Sequence, residues 1–217
     1  YQMLGQMKLA EENYKISYSL NKNNFDTNAN LATIFLSSDR LVEAEEFLYN
    51  AYRLNEFEPY TVINLISLLH KKKQFSEAIN IAEKAIDKLN DHYQFFYNYA
   101  LCLFEEKDYE LSYKINEEGL KMMTKKGDEY LDSIALRASN LTALGHPQKA
   151  IDINFKILKT NPKHYGALRN LSKSYTNIGK HRESLLFNRL SDGNIRFEIG
   201  NKKEDLFLYQ NSKITLK

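Results

Sequence analysis

The chain repeats itself. Residues 25–58 read FDTNANLATIFLSSDRLVEAEEFLYNAYRLNEFE, and residues 59–92 read PYTVINLISLLHKKKQFSEAINIAEKAIDKLNDH. Both stretches are 34 residues long and align without a gap, so that Asn30 falls on Asn64, Leu31 on Leu65, Ala44 on Ala78 and Ala51 on Ala85. A fixed period of this length with helical patterning is what a stack of helix–turn–helix units leaves in a sequence. Few other folds tolerate it, because each unit is too small to bury its apolar face alone and must lean on the next.

Counting Phe25 and Pro59 as position 1, helical geometry brings positions 4, 7, 8 and 11 to one face of a first helix. It brings 20, 24, 27 and 28 to one face of a second. Backbones approach closely only across small side chains, so positions 8, 20 and 27 need Ala, Gly or Ser. Ala32, Ala100, Ala138, Ala44, Ala78, Ala150, Ala51, Ala85 and Gly119 fit, as do Ala10, Ser17, Ser112, Ser172, Ser184 and Ser191. Ile66 and Ile157 depart from the rule, and Arg137 stands where a large apolar residue is expected.

In these residues the units resemble tetratricopeptide repeats (TPRs). The register divides the chain into a partial repeat, its second helix, at 1–24 and full repeats at 25–58, 59–92, 93–130, 131–164 and 165–193. Repeat 93–130 is four residues longer, and the extra residues are placed at Lys125–Asp128, where glycine can end a helix in the left-handed conformation. Turns between paired helices are expected near Asp39, Lys73, Gly145-His146-Pro147 and Gly179. Asn161-Pro162 closes the fourth repeat where the family usually has proline. The resemblance implies an all-α fold, an α-α superhelix built as a TPR solenoid of antiparallel helix pairs. The tail, residues 194–217, leaves the pattern. Ile195, Phe197 and Ile199 alternate with charged residues, and Leu206–Tyr209 suits a second strand of a β-hairpin. A chain that opens at position 11 of a repeat leads us to expect that the natural protein continues N-terminally.

Formal charge is +2 overall, too balanced to suggest a nucleic-acid or membrane surface. It is uneven: residues 163–217 hold 11 Lys/Arg against 5 Asp/Glu, and the remainder 19 against 23. The lone Cys102 excludes an internal disulfide. With no apolar leader and no 18-residue apolar run, the expected setting is cytoplasmic.

No chemistry-bearing constellation emerges. The five histidines (His70, His92, His146, His164 and His181) lack ligand spacing, and no metal or other cofactor is expected. Glu45-Glu46 and Glu117-Glu118 read as solvated charges, and Cys102 as a structural thiol. The chain is read as a non-enzymatic scaffold for a protein or peptide partner. A helical arm of a larger glycosyltransferase, sulfotransferase or oxygenase is the alternative, and self-association through the ends of the array a third reading.

The resemblance also locates the partner. First helices line the concave face in this family, and position 6 points into it; here it is Asn30, Asn64, Asn98, Leu136 and Asn170. A row of amides holds an extended main chain without reading its side chains, since each amide donates and accepts. The same row is also simply common in the repeat. Tyr60, Ile63, Tyr97 and Leu101 offer an apolar anchor site, or else are buried by neighbouring repeats. Arg169 and Lys173 lie one turn apart and suit an acidic group, or form a solvated face. The carboxylate clamp of chaperone-binding relatives does not fit, because Ala29, Thr33, Gln94 and Asn98 occupy its charged and amide places.

Overall fold

The computed structural model describes residues 6–193 together with 195–196 and 215–216. The chain divides into two compact units, one ending at Lys107 and one beginning at Asp108. Unit one holds α1 (Met7–Leu20), α2 (Phe25–Ser37), α3 (Leu41–Leu54), α4 (Pro59–Lys71), α5 (Phe75–Ala85) and α6 (Tyr93–Glu105). Unit two holds α7 (Tyr109–Met122), α8 (Asp128–Ala143), α9 (Pro147–Thr160), α10 (Tyr165–Asn177) and α11 (His181–Ser191). Within each unit a helix packs on its successor, and α4–α6 and α8–α10 also pack as alternate helices. This is the sequential helix-pair arrangement that the period requires.

The small positions lie where helices cross. Ala32, Ala44, Ala51, Ala78, Ala100, Ala138 and Ala150 are fully buried, and so is Ser112. The large residues between them, Leu31, Phe35, Leu65, Leu69 and Leu171, are buried as well. The two exceptions are absorbed rather than expelled: Ile66 and Ile157 are also core residues. Arg137 does not enter the core. Its Nε lies 3.2 Å from Glu117 Oε1 on α7, so an ion pair stands where an apolar contact was expected. Glu45 likewise pairs with Lys72. Neither carboxylate is the free surface charge that its sequence context suggests.

Position 15 fixes the turn in all five full repeats. Asp39, Lys73, Lys107, Gly145 and Gly179 have φ of 55°, 60°, 68°, 84° and 75°. At four of them the next N–H reaches back to the carbonyl five residues earlier. Arg40 to Phe35 and Gln74 to Leu69 are 2.9 Å, His146 to Leu141 is 2.7 Å and Lys180 to Tyr175 is 2.9 Å. This is the Schellman closure, which satisfies carbonyls that the helix end would orphan. At the other ends, Asn24, Glu58 and His164 accept from the third residue of α2, α4 and α10. Pro59 and Pro147 occupy first-turn positions, where a missing N–H is harmless.

One expectation needs correction. Gly127 does not end α7 in the left-handed region. With φ −87° and ψ −164° it is the N-cap of α8, which starts at Asp128 rather than at Leu131. The added residues therefore lengthen the following helix, to 16 residues, as well as its loop. In the tail, Ile195–Arg196 (β1) pairs antiparallel with Thr215–Leu216 (β2), Ile195 opposite Leu216. Leu206–Tyr209, the second strand expected from the sequence, lies outside the described residues.

A lysine in the left-handed region is strained by about 1–2 kcal/mol, against roughly 0.5–1 kcal/mol of extra backbone freedom for glycine in the unfolded chain. Lys73→Gly is therefore expected to raise stability in urea unfolding, and Gly145→Ala to lower it. Nothing lies within 4 Å of a Cβ added at Gly145, so the loss there is purely conformational. A loss of stability in Lys73→Gly would contradict this turn geometry.

Candidate functional site

The residues expected to face a partner fall into two groups, one in each unit. In unit one, α2, α4 and α6 contribute Asn30, Tyr60, Ile63, Asn64, Asn98, Tyr97 and Leu101. Tyr60, near the start of α4, is 68% exposed, with its ring 6.4 Å from that of His92. Tyr97 and Leu101 are half-buried on α6. Ile63 is buried and belongs with the core more than with any open face.

The asparagines differ in how their amides are used. Asn98 Nδ2 donates to the carbonyl of Ile63, at 3.2 Å, on the first helix of the preceding repeat. Asn170 Nδ2 in unit two donates to Ala135 O at 2.8 Å, again 35 residues back. Its Oδ1 accepts from Ser139 at 2.7 Å. Both amides therefore tie one first helix to the one before it. Asn30 instead donates within its own helix, to Asp26 O. The carbonyl that Asn64 would reach by the same rule, that of Ala29, accepts Thr33 Oγ1 at 2.9 Å. Among the described residues of the row, Asn64 alone keeps its amide unpartnered, and it is half-buried one turn from Tyr60. Leu136, the break in the row, is a core residue.

Arg169 is also engaged. Its Nη1 donates to Asn188 Oδ1 at 2.8 Å on α11, with Asp192 Oδ1 at 3.9 Å and the Tyr165 ring 6.0 Å from its guanidinium carbon. Lys173, one turn on, is exposed. The two cations thus differ: Arg169 braces α10 against α11, and only Lys173 projects freely.

The remaining reactive side chains are built into the structure. Cys102 is fully buried, and burial, with Glu105 and Glu106 nearby, pushes its thiol up to about 12, so the nucleophilic thiolate is suppressed. Burial holds His70 below the usual imidazole range, opposed by Glu105. His164 is buried, accepts from the Ala167 N–H through Nδ1 and lies 3.2 Å from Asp132 through Nε2. A Cβ at Gly166, inside the first turn of α10, would sit 3.3 Å from its Cε1, a tight contact. Among the described residues no three His, Cys, Asp or Glu side chains are grouped to hold a metal. No described helix is long and apolar enough to cross a membrane.

These helix pairs define an all-α repeat protein. The fold is that of the tetratricopeptide-repeat proteins, as comparison with solved structures shows. A tetratricopeptide repeat protein from Parabacteroides merdae superposes with TM-score 0.70 and 17% identity, over 86% of this chain and 73% of that one. PilF of Pseudomonas aeruginosa superposes with TM-score 0.66 and 15% identity, over 98% and 88%. YrrB, described as a TPR protein with an unusual peptide-binding site, gives 0.61 and 16%, over 83% and 91%. No protein-family profile matches the chain, and no curated protein does.

The different uses of the amides give different costs. Asn170→Ala removes two hydrogen bonds between α8 and α10, leaving the Ser139 hydroxyl only Ala135 O, and is expected to cost about 1–3 kcal/mol. Asn98→Ala is expected to cost about 0.5–1.5 kcal/mol, and Asn64→Ala less than about 0.5 kcal/mol. Denaturant unfolding of the three variants measures the order; a loss for Asn64→Ala matching that for Asn170→Ala would overturn it.

Proposed function

We propose that the chain is a protein-interaction scaffold that holds an extended peptide or protein segment on the first helices of unit one. The observation that carries this reading is Asn64, whose donors and acceptor have no internal partner, set beside the exposed Tyr60 ring. The amide pairs with a main-chain peptide group, and the aromatic ring supplies contact area with a polar tip. Tyr97 and Leu101 on α6 add apolar area to that face. The reading also draws support from YrrB, a protein of the same fold described as having a peptide-binding site. In unit two, Lys173 is the cation left to meet an acidic group, since Arg169 is bound to α11. The chain's part is to position another protein, and no step of bond making or breaking is assigned to it.

The test is affinity capture from a lysate of the source cells, with wild type, Asn64→Ala and Tyr60→Ala in parallel and melting curves for each. Partners held by wild type and lost from both variants at unchanged melting temperature are the expected result. Retention of the same partners by both variants would move binding off this face.

A further inference from the structure

Two of the seams that α8 makes in unit two, with α7 and with α10, are built differently. The apolar cluster of the unit takes its buried side chains from α8 to α11, Leu131, Ile151, Leu171 and Phe187 among them. α7 contributes none to it, and the residues that α7 buries are Ser112, Ile115, Asn116 and Gly119. Polar groups bridge α7 and α8. Asn116 Nδ2 donates to Ser133 O at 2.9 Å, and Asn140 Nδ2 donates to Ser112 Oγ at 3.0 Å. Arg137 faces Glu117 across the same seam.

These amides are satisfied on one side only. The Oδ1 atoms of Asn116 and Asn140 are buried and accept no hydrogen bond from the described residues. A buried acceptor without a donor keeps its desolvation penalty and returns nothing for it. Asn154 Oδ1 on α9 is also buried without a donor, but its amide donates within its own helix, and the polar pairs that join α8 to α10 have no such defect. Asn170 is bonded at both ends of its amide, and Thr142 Oγ1 lies 2.7 Å from Ser174 Oγ. The chain also allows separation. Residues 123–127 join α7 to α8, longer than the connections that join α8 to α9, α9 to α10 or α10 to α11.

We propose that the α7–α8 seam is a hinge built into the fold, the place where unit two opens first while α8 to α11 stay packed. Opening admits water to Asn116 Oδ1 and Asn140 Oδ1 and satisfies both, whereas parting α8 from α10 breaks completed bonds and exposes apolar surface. Local opening draws on such low-stability seams.

Matched cysteine probes test it. Ser112→Cys places a thiol under the α7–α8 seam, and Ser174→Cys places one under the α8–α10 seam; both serines are fully buried. N-ethylmaleimide labelling is followed by peptide mass spectrometry, with the buried native Cys102 as internal reference. Labelling at residue 112 is expected to be at least about tenfold faster than at 174, the ratio for about 1.4 kcal/mol of opening free energy. Equal rates, or faster labelling at 174, overturn the proposal. If a cysteine variant fails to fold, hydrogen exchange of the unaltered protein decides. Peptides covering α7 and the connection after it, residues 109–127, are expected to exchange before those covering α10, and simultaneous exchange overturns the hinge.

Discussion

Each unit depends on helices that approach until their backbones nearly meet. That approach is possible only where side chains are as small as Ala32, Ala44, Ala78, Ala138 and Ala150, all without measurable exposure. Close approach has a second effect. It brings the carbonyls of one first helix within reach of side chains on the next, so asparagine amides can bridge them. Asn98 and Asn170 do so at the same spacing in different units. A longer interaxial distance would leave those amides to water. The packing rule and the polar bridges are therefore one constraint seen on two length scales.

The two units meet the same geometry with different chemistry. Unit one joins its repeats with charged side chains at the helix ends: Arg40 spans Glu11 and Glu43 and lies 4.3 Å over the Phe35 ring, Lys72 reaches Glu45, and Tyr49 donates to Glu77. Lys15, with Arg40, holds Glu11 below the usual carboxylate range. Such pairs are partly solvated, and each contributes little by itself. Unit two places amides and hydroxyls inside, where satisfaction counts for more. A buried network with every group paired stiffens its seam, and one left half-paired weakens it.

Much of this was legible in the chain. The 34-residue period, the small positions and the turn positions all follow from spacing. Even the left-handed residues Asp39, Lys73 and Lys107 align with Gly145 and Gly179, a signal that needs only the register to be seen. Other features escaped for physical reasons. Whether Asn98 faces a ligand or a neighbouring carbonyl depends on interhelical distance, and every residue has a carbonyl, so sequence is silent on the acceptor. Glycine at 127 suits a C-cap as well as an N-cap, and the acidic pair Asp128 and Glu129 in the first turn of α8 decides for the N-cap. The partner of Arg169, Asn188, lies 19 residues on, beyond what spacing along one helix can show. Position 24 changes from Leu48 and Ala82 to Asn116, Asn154 and Asn188, an apolar-to-amide switch whose first two members are buried in unit two.

The connection before α8 has a consequence for how this chain tolerates growth. Gly127 lies in extended backbone with open space around it, and a Cβ there would meet nothing within 4 Å. The helices on either side hold each other through their own side chains, so the loop has only to span the gap. Closing a longer loop costs only about 0.6 kcal/mol per doubling. Residues 123–127 are thus where the repeat length can drift from 34 without disturbing the register of its neighbours, and where a tag or a reporter domain can be carried most cheaply.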